Sequence, residues 1–228
     1  MKVISSVMGT AAIQMSSDDT NPKHGILQPD LSNFVSELYK FRVPPAMDAG
    51  SLPAVAPVLQ FQSGEFMSED GKIPVLHLFI ATDGAAVIAS NTDLADAILT
   101  DYTTNLDRVL NYRFAEANPA RMYASIMVVE FDSAFVEKTQ AFKAIGELLN
   151  ETIRDRGHQY GLKRLVFGTD AANEIATLSS IRHLIPSDVV VERRANEPFE
   201  KNRFFCRAPL KTSDHILLLE KMERLAIG

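Results

Sequence analysis

The 228-residue sequence contains a single cysteine, Cys206, and no tryptophan. One cysteine cannot form an intrachain disulfide, so the bridged framework of small secreted domains is excluded. Apolar runs are short as well, because stretches such as 126–129 and 216–219 fall far below the roughly 20 residues of a membrane-spanning helix. The N-terminal stretch has one charge and several serines, which makes it a poor signal peptide and favours a first strand. We therefore expect a cytoplasmic protein that does not contact membranes.

Sequence motifs that carry known chemistry are also missing. The chain has no G-x-x-x-x-G-K-[ST] or G-x-G-x-x-G phosphate loop and no G-x-S-x-G nucleophile elbow. None of its five histidines stands four residues from another, and none lies near Cys206, so no zinc pattern exists. We expect no cofactor, and no stretch is specific enough to indicate a family.

The overall composition is that of a globular protein, with 46% hydrophobic and 23% charged residues. The net charge of −6 is unevenly placed, because residues 1–120 carry 7 basic and 14 acidic residues whereas residues 121–228 carry 16 and 15. An acidic protein has little general affinity for nucleic acid, since phosphate binding needs a positive surface. A local basic site in the second half is still compatible with these numbers.

The first half reads as a small α/β lobe over residues 1–114. A strand is predicted at 3–15, followed by a polar loop at 16–30 and a short helix that begins at Asp30. Four prolines mark an extended connector at 43–57. Strands near 58–61, 75–81 and 85–89 follow, with a hairpin turn that ends at Gly71, and residues 91–114 read as a helix.

The second half reads as an α+β lobe over residues 122–228. Strands are predicted at 122–131, 162–167, 189–193 and 203–207, the last two as antiparallel neighbours. Helices are predicted at 134–156, 171–184 and 214–225. The fold class is therefore α+β, with a mixed or antiparallel sheet packed against long helices and a C-terminal half that is ferredoxin-like.

Two short sequence matches raise the question of an internal duplication. Residues 79–90 resemble 166–177, and residues 58–63 resemble 128–133, in the same order along the chain. Short apolar matches also arise by chance. The pattern leaves open whether the chain forms two related lobes or one continuous domain.

Three aspartates follow predicted strands: Asp83, Asp132 and Asp170. Carboxylates at strand ends can hold Mg²⁺ or act in catalysis. The competing and favoured interpretation is helix capping, since Asp132 and Asp170 stand directly before predicted helices.

Basic and aromatic residues cluster in the segment 193–207, and a second basic segment covers 154–164. We take the following as candidate binding residues: Arg193, Arg194, Arg203, Arg207, Phe204 and Phe205. Guanidinium groups fit phosphates and aromatic rings stack on bases, so RNA or a phosphate ligand is one candidate partner. Interspersed acidic residues favour instead a salt-bridged surface, and arginine with phenylalanine is also typical of protein–protein interfaces.

Cys206 stands between Arg203 and Arg207 in sequence, an arrangement that can stabilise a thiolate, although a lone cysteine in a strand usually serves in packing.

Since no chemistry is clustered along the chain, the leading hypothesis is a non-enzymatic protein. It would act through protein–protein contacts as a subunit or adaptor, with a partner protein or by self-association. RNA or phosphate binding and a metal-dependent enzyme are the alternatives.

Overall fold

The computed structural model describes residues 1–21, 29–42, 46–48, 58–69, 71–132, 140–153, 161–169, 181 and 184–227. Within these ranges the chain is α+β, as predicted, with nine strands in one antiparallel sheet. The strands are β1 (Lys2–Gln14), β2 (Ala46–Asp48), β3 (Val58–Ser68), β4 (Gly71–Ala81), β5 (Gly84–Ala89), β6 (Arg121–Glu130), β7 (Arg164–Phe167), β8 (Val189–Arg193) and β9 (Arg203–Ala208).

Helices alternate with these strands along both halves of the chain. They are α1 (Ser17–Thr20), α2 (Pro29–Leu38), α3 (Thr92–Leu110), α4 (Phe114–Ala117), α5 (Gln140–Thr152) and α6 (Thr212–Ile227), and a short 3₁₀ turn covers Phe199–Lys201. Among the helices described, none combines the length and apolar composition needed to cross a bilayer.

The strand order is β2-β3-β4-β5-β1-β6-β9-β8-β7, and every neighbouring pair is antiparallel. The strands of the first half therefore lie on one side of the β1–β6 pair and those of the second half on the other. The predicted β8–β9 pairing is confirmed. The predicted hairpin turn is also confirmed, since β3 and β4 meet at Ser68 and Gly71, and Gly71 has a φ of 120° that favours glycine.

The core of the first half lies on one face of the sheet under α2 and α3. Leu31 and Val35 of α2 share one apolar cluster with Phe61 of β3 and Leu78 of β4. The Tyr39 hydroxyl, just after α2, donates to the Asp101 carboxylate of α3 at 2.9 Å.

The helix predicted at 91–114 ends early, because Asn111 adopts a left-handed conformation at its C-cap. The Asp107 carboxylate then accepts the backbone N–H groups of Phe114 and Ala115. These bonds start a separate turn, α4.

The core of the second half is smaller. Met127 of β6, Val191 of β8, Cys206 of β9 and Leu219 of α6 belong to one buried cluster. On the opposite face of the sheet, Ile181 packs with small residues of β1, β4 and β5. The helix predicted at 171–184 lies outside the described residues except for 181 and 184, and only 140–152 of the helix predicted at 134–156 is described as helix.

The structure differs from three further predictions. The predicted loop at 16–30 contains α1 and the start of α2, and the connector at 43–57 contains the short strand β2. The described elements of the second half run β-α-β-β-β-α, whereas a ferredoxin-like unit runs β-α-β-β-α-β, so that detail is not confirmed.

Candidate interaction surface

Helix α5 carries an apolar stripe that is open to solvent. Ile145, Leu148 and Leu149 are 55%, 62% and 40% exposed, and their i, i+3, i+4 spacing places them on one helix face. Lys143 and Glu147 form an ion pair at 3.8 Å elsewhere on the helix. Exposed contiguous apolar side chains on a helix are typical of a contact site.

Strand β7 is the last strand on its side of the sheet. It pairs with β8 on one edge, and within the described residues no strand pairs with its other edge. Val166 and Phe167 are 49% and 55% exposed. An exposed apolar edge strand can pair with another chain.

The side chains of β7 alternate between the two faces of the sheet. Leu165 lies opposite Val191 and packs on the buried cluster of the second half, so it points to the face that carries α6. Phe167, two residues on, points to the same face, and Val166 points to the other. We use the name C-terminal apolar surface for the exposed apolar side chains of these two elements, namely Ile145, Leu148 and Leu149 on α5 and Val166 and Phe167 on the two faces of β7.

In the first half, helix α2 is packed against the sheet. Leu31 and Val35 of α2 are both fully buried, and they contact the β3–β4 face through the apolar cluster. No residue of α5 belongs to a buried apolar cluster in the described part of the chain. Among the described residues, α5 therefore lacks the apolar packing that α2 has.

The predicted basic-aromatic segment is divided between the two faces of the sheet. Phe204 is buried in the core, and the Arg193 guanidinium lies 5.1 Å from its ring centroid. Phe205 and Arg207 point the other way, because side chains alternate along β9. The structure therefore does not bring the six candidate residues together on one surface.

Two of the four candidate arginines, Arg194 and Arg203, have carboxylate partners. Arg203 lies 2.8 Å from Glu130 and 3.2 Å from Glu197, and Arg194 lies 3.4 Å from Glu197. Hydrogen bonds to Glu130 raise the pKa of Arg203. Of the segment 154–164, residues 154–160 lie outside the described residues.

Two of the three candidate aspartates lie at opposite ends of β1. The backbone carbonyl of Asp83 accepts the N–H of Met15, and Asp132 is 2.5 Å from the N-terminal ammonium of Met1. A strand of this length spans about 40 Å, so these two carboxylates cannot share one cation. Asp170 lies outside the described residues, and among the described residues no group of three potential metal ligands occurs.

Cys206 is a packing residue of the core. It is fully buried, and burial raises the pKa of its thiol to about 12. A neutral, covered thiol is a poor nucleophile.

Sequence reasoning did not identify one buried polar pair. The Ser125 hydroxyl of β6 and Nδ1 of His215 in α6 are 2.7 Å apart, and both residues are buried. Burial lowers the pKa of His215 to about 4, so this imidazole is neutral at pH 7. The two residues are 90 positions apart, and no linear motif joins them. Because neither side chain is open to solvent, the pair has a structural role here and does not form an accessible catalytic site.

No known protein family and no curated protein matches this sequence. Function has to be inferred from the surface itself.

Proposed function

We propose that this protein acts through protein–protein contacts made by the C-terminal apolar surface, as a subunit of an assembly. The observation that carries the proposal is the exposure of the α5 stripe at Ile145, Leu148 and Leu149. Burying one such side chain stabilises a complex by roughly 1.5–3 kcal/mol. Exposed apolar side chains of this kind favour association, because contact with another chain removes them from water.

The edge of β7 adds a second means of contact. No described strand pairs with its outer edge, and the backbone groups there can extend the sheet with a strand of another chain. Val166 and Phe167 supply apolar contacts on the two faces. Backbone pairing at the edge of β7 and burial of its exposed apolar side chains both favour contact with another chain.

We further propose that the chain consists of two related halves. With α1, β2 and α4 set aside, the described elements of each half run β-α-β-β-β-α. In this correspondence β1, α2, β3, β4, β5 and α3 match β6, α5, β7, β8, β9 and α6. The sheet order β3-β4-β5-β1 is then mirrored by β7-β8-β9-β6, with β1 and β6 paired at the centre.

The RNA or phosphate alternative has weaker support. Arg194 and Arg203 already face carboxylates, and Phe204 is inside the core, so these three candidates are not presented freely to a ligand. The metal-enzyme alternative would need Asp83 and Asp132 to approach each other across the length of β1.

Self-association is the form of the proposal that can be tested with the purified chain alone. Sedimentation equilibrium over a range of concentrations should show a molar mass above 25.2 kDa that rises with concentration. Leu148→Arg should lower this mass to that of the monomer. Leu225→Arg is the matched control, since Leu225 is 83% exposed on α6 and lies outside the surface.

The control variant should associate like the unchanged protein. A strictly monomeric protein at all concentrations would contradict self-association. Equal masses for the Leu148→Arg and Leu225→Arg variants would contradict the assignment of the surface.

A further inference from the structure

The two halves of the sheet carry matching rows of directly paired residues. In the first half one row crosses β3, β4, β5 and β1, and its members are Phe61, Leu78, Val87 and Ala11. In the second half one row crosses β7, β8, β9 and β6, and its members are Leu165, Val191, Cys206 and Met127. The members of each row belong to, or pack on, the buried cluster of their own half. The proposed correspondence of the halves thus extends from strand order to single residues.

Two pairs of matched positions contact each other. Gly9 and Ser125 stand two residues before the β1 and β6 members of these rows, and they pair directly across β1 and β6. Thr92 and Thr212 are the first residues of α3 and α6, and their hydroxyl oxygens are 3.0 Å apart. A residue meets its own counterpart only where a two-fold axis passes between the two. These two contacts therefore define an approximate two-fold axis through the middle of the sheet.

Each half keeps its main apolar core to itself. The buried members of one cluster all lie within residues 11–114, and those of the other lie within residues 127–219. The described contacts across the junction include ten residue pairs of β1 with β6, the threonine pair and the packing of Ile181 on small residues of the first half. Backbone pairing of two antiparallel strands can form equally well within one chain or between two chains.

The connection between the halves is only three residues long. Helix α4 belongs to the first half, because Phe114 is part of its core. Strand β6 starts at Arg121, so residues 118–120 alone join the two halves. Asn118 has a φ of 41°, a left-handed conformation that asparagine tolerates but does not prefer. Short, strained hinges of this kind invite the exchange of a domain between copies.

We propose that two copies of this chain exchange halves, so that β1 of each copy pairs with β6 of the other. The exchanged dimer repeats every contact of the junction and differs from the closed chain at residues 118–120, which become extended. The partner is a second copy of this chain, and the contact surface is the junction itself. This inference rests on the proposed correspondence of the two halves and is independent of the C-terminal apolar surface.

The first test traps the arrangement of the chains with a disulfide. Lys2 and Glu130 lie directly opposite each other in β1 and β6. The Cα atoms of such pairs are about 4.5–5.5 Å apart, which suits a disulfide. The full chain with Lys2→Cys and Glu130→Cys is refolded from urea at low and at high protein concentration. Its monomer and dimer fractions are then separated by size, and each fraction is oxidised.

Refolding at high concentration should yield a dimer that persists on dilution. In detergent without reductant, its chains should run as covalent dimers, whereas the monomer fraction should run as single closed chains. Absence of a dimer at every refolding concentration would overturn the proposal. So would a dimer that separates in detergent into single chains, each closed by its own disulfide. That second result leaves the proposed function intact, because the C-terminal apolar surface can hold two closed chains together.

The second test changes the hinge and leaves the junction alone. Asn118→Ala makes the left-handed conformation less favourable, and the exchanged dimer avoids that conformation. The dimer-to-monomer ratio after refolding should therefore rise at least about fivefold. Asn111→Ala is the matched control, because Asn111 also has a positive φ, 55°, but lies between α3 and α4 within the first half.

Exchange of halves leaves residue 111 as it is, so the control variant should refold to the same ratio as the unchanged protein. Equal ratios for the Asn118→Ala and Asn111→Ala variants would contradict a hinge at residues 118–120.

Discussion

Thr92 and Thr212 exchange backbone-to-side-chain hydrogen bonds between the first turns of α3 and α6. The N–H of Thr92 donates to Oγ1 of Thr212 at 3.1 Å, and the N–H of Thr212 donates to Oγ1 of Thr92 at 2.7 Å. The two hydroxyls are 3.0 Å apart. Each helix start thereby satisfies a backbone donor that has no partner within its own helix.

Replacing either threonine should destabilise the fold. Thr92→Val keeps the shape and removes the acceptor for the N–H of Thr212, which leaves a partly buried donor unpaired at a cost of about 1–3 kcal/mol. Thr212→Val should cost a similar amount, and the double variant should cost less than the sum, because the pair acts as a unit. Urea denaturation of the four proteins measures this coupling.

Thr104→Val is the control for these variants, since Thr104 is exposed on α3. It should leave the unfolding midpoint nearly unchanged. Additive effects of Thr92→Val and Thr212→Val would contradict a reciprocal contact.

Gly9 of β1 allows the start of α3 to approach the centre of the sheet. A Cβ at this position would lie 2.1 Å from the backbone carbon of Asn91 and from the backbone nitrogen of Thr92. Gly9→Ala should therefore shift α3 and lower the free energy of unfolding by about 1–3 kcal/mol or more. Gly168→Ala is the comparison, because a Cβ there meets only the movable Asp188 side chain at 3.0 Å. Equal unfolding midpoints in urea for the two variants would contradict the claim that Gly9 is required for the close approach of α3 to β1.

His215 should make stability depend on pH between 7 and 5. Burial lowers its pKa in the folded protein to about 4, below the value of roughly 6.5 in an unfolded chain. The unfolded state therefore takes up the proton first as pH falls, and the free energy of unfolding should drop by about 2 kcal/mol between pH 7 and pH 5. The loss levels off once the pH is below about 4.

His215→Gln removes this titration and should flatten the dependence over that range. His77 is half-buried and its pKa is also lowered by burial, so His77→Gln measures the smaller contribution of a second histidine. An undiminished slope in the His215→Gln variant would show that this imidazole is not buried as a neutral group.

Cys206 should resist thiol reagents in the native protein. Its full burial and a pKa raised to about 12 leave almost no accessible thiolate at pH 8. Labelling by an aromatic disulfide should be slow in buffer and complete in denaturant. Rapid labelling of the folded chain would contradict the placement of Cys206 on the inner face of β9.

Local patterns predicted the elements of this fold well. The alternation and β-branched residues of 122–131 and 203–207 indicated strands, and Gly71 marked the turn of the hairpin it closes. Such local patterns could not predict the sheet order, because the pairing of β1 with β6 joins segments more than a hundred residues apart. The sequence matches between 58–63 and 128–133 pair β3 with β6, whereas the proposed correspondence of the two halves pairs β3 with β7.

The candidate site was partly visible in the sequence. The helical spacing of Ile145, Leu148 and Leu149 predicts that they share one helix face, but spacing does not reveal what covers that face. The segment around Arg203 drew attention through its composition, yet alternation along β9 sends Phe204 inward and Phe205 outward. Burial and face depend on neighbours distant in sequence, which spacing alone does not reveal.

Hydrogen exchange of the unmodified protein at low and high concentration tests the proposed function most directly. Amides of α5 and β7 should exchange more slowly at the higher concentration, while those of α6 should be unchanged, because association covers the C-terminal apolar surface and leaves α6 as it is. Unchanged exchange in α5 and β7, or new protection confined to other elements, would contradict the account.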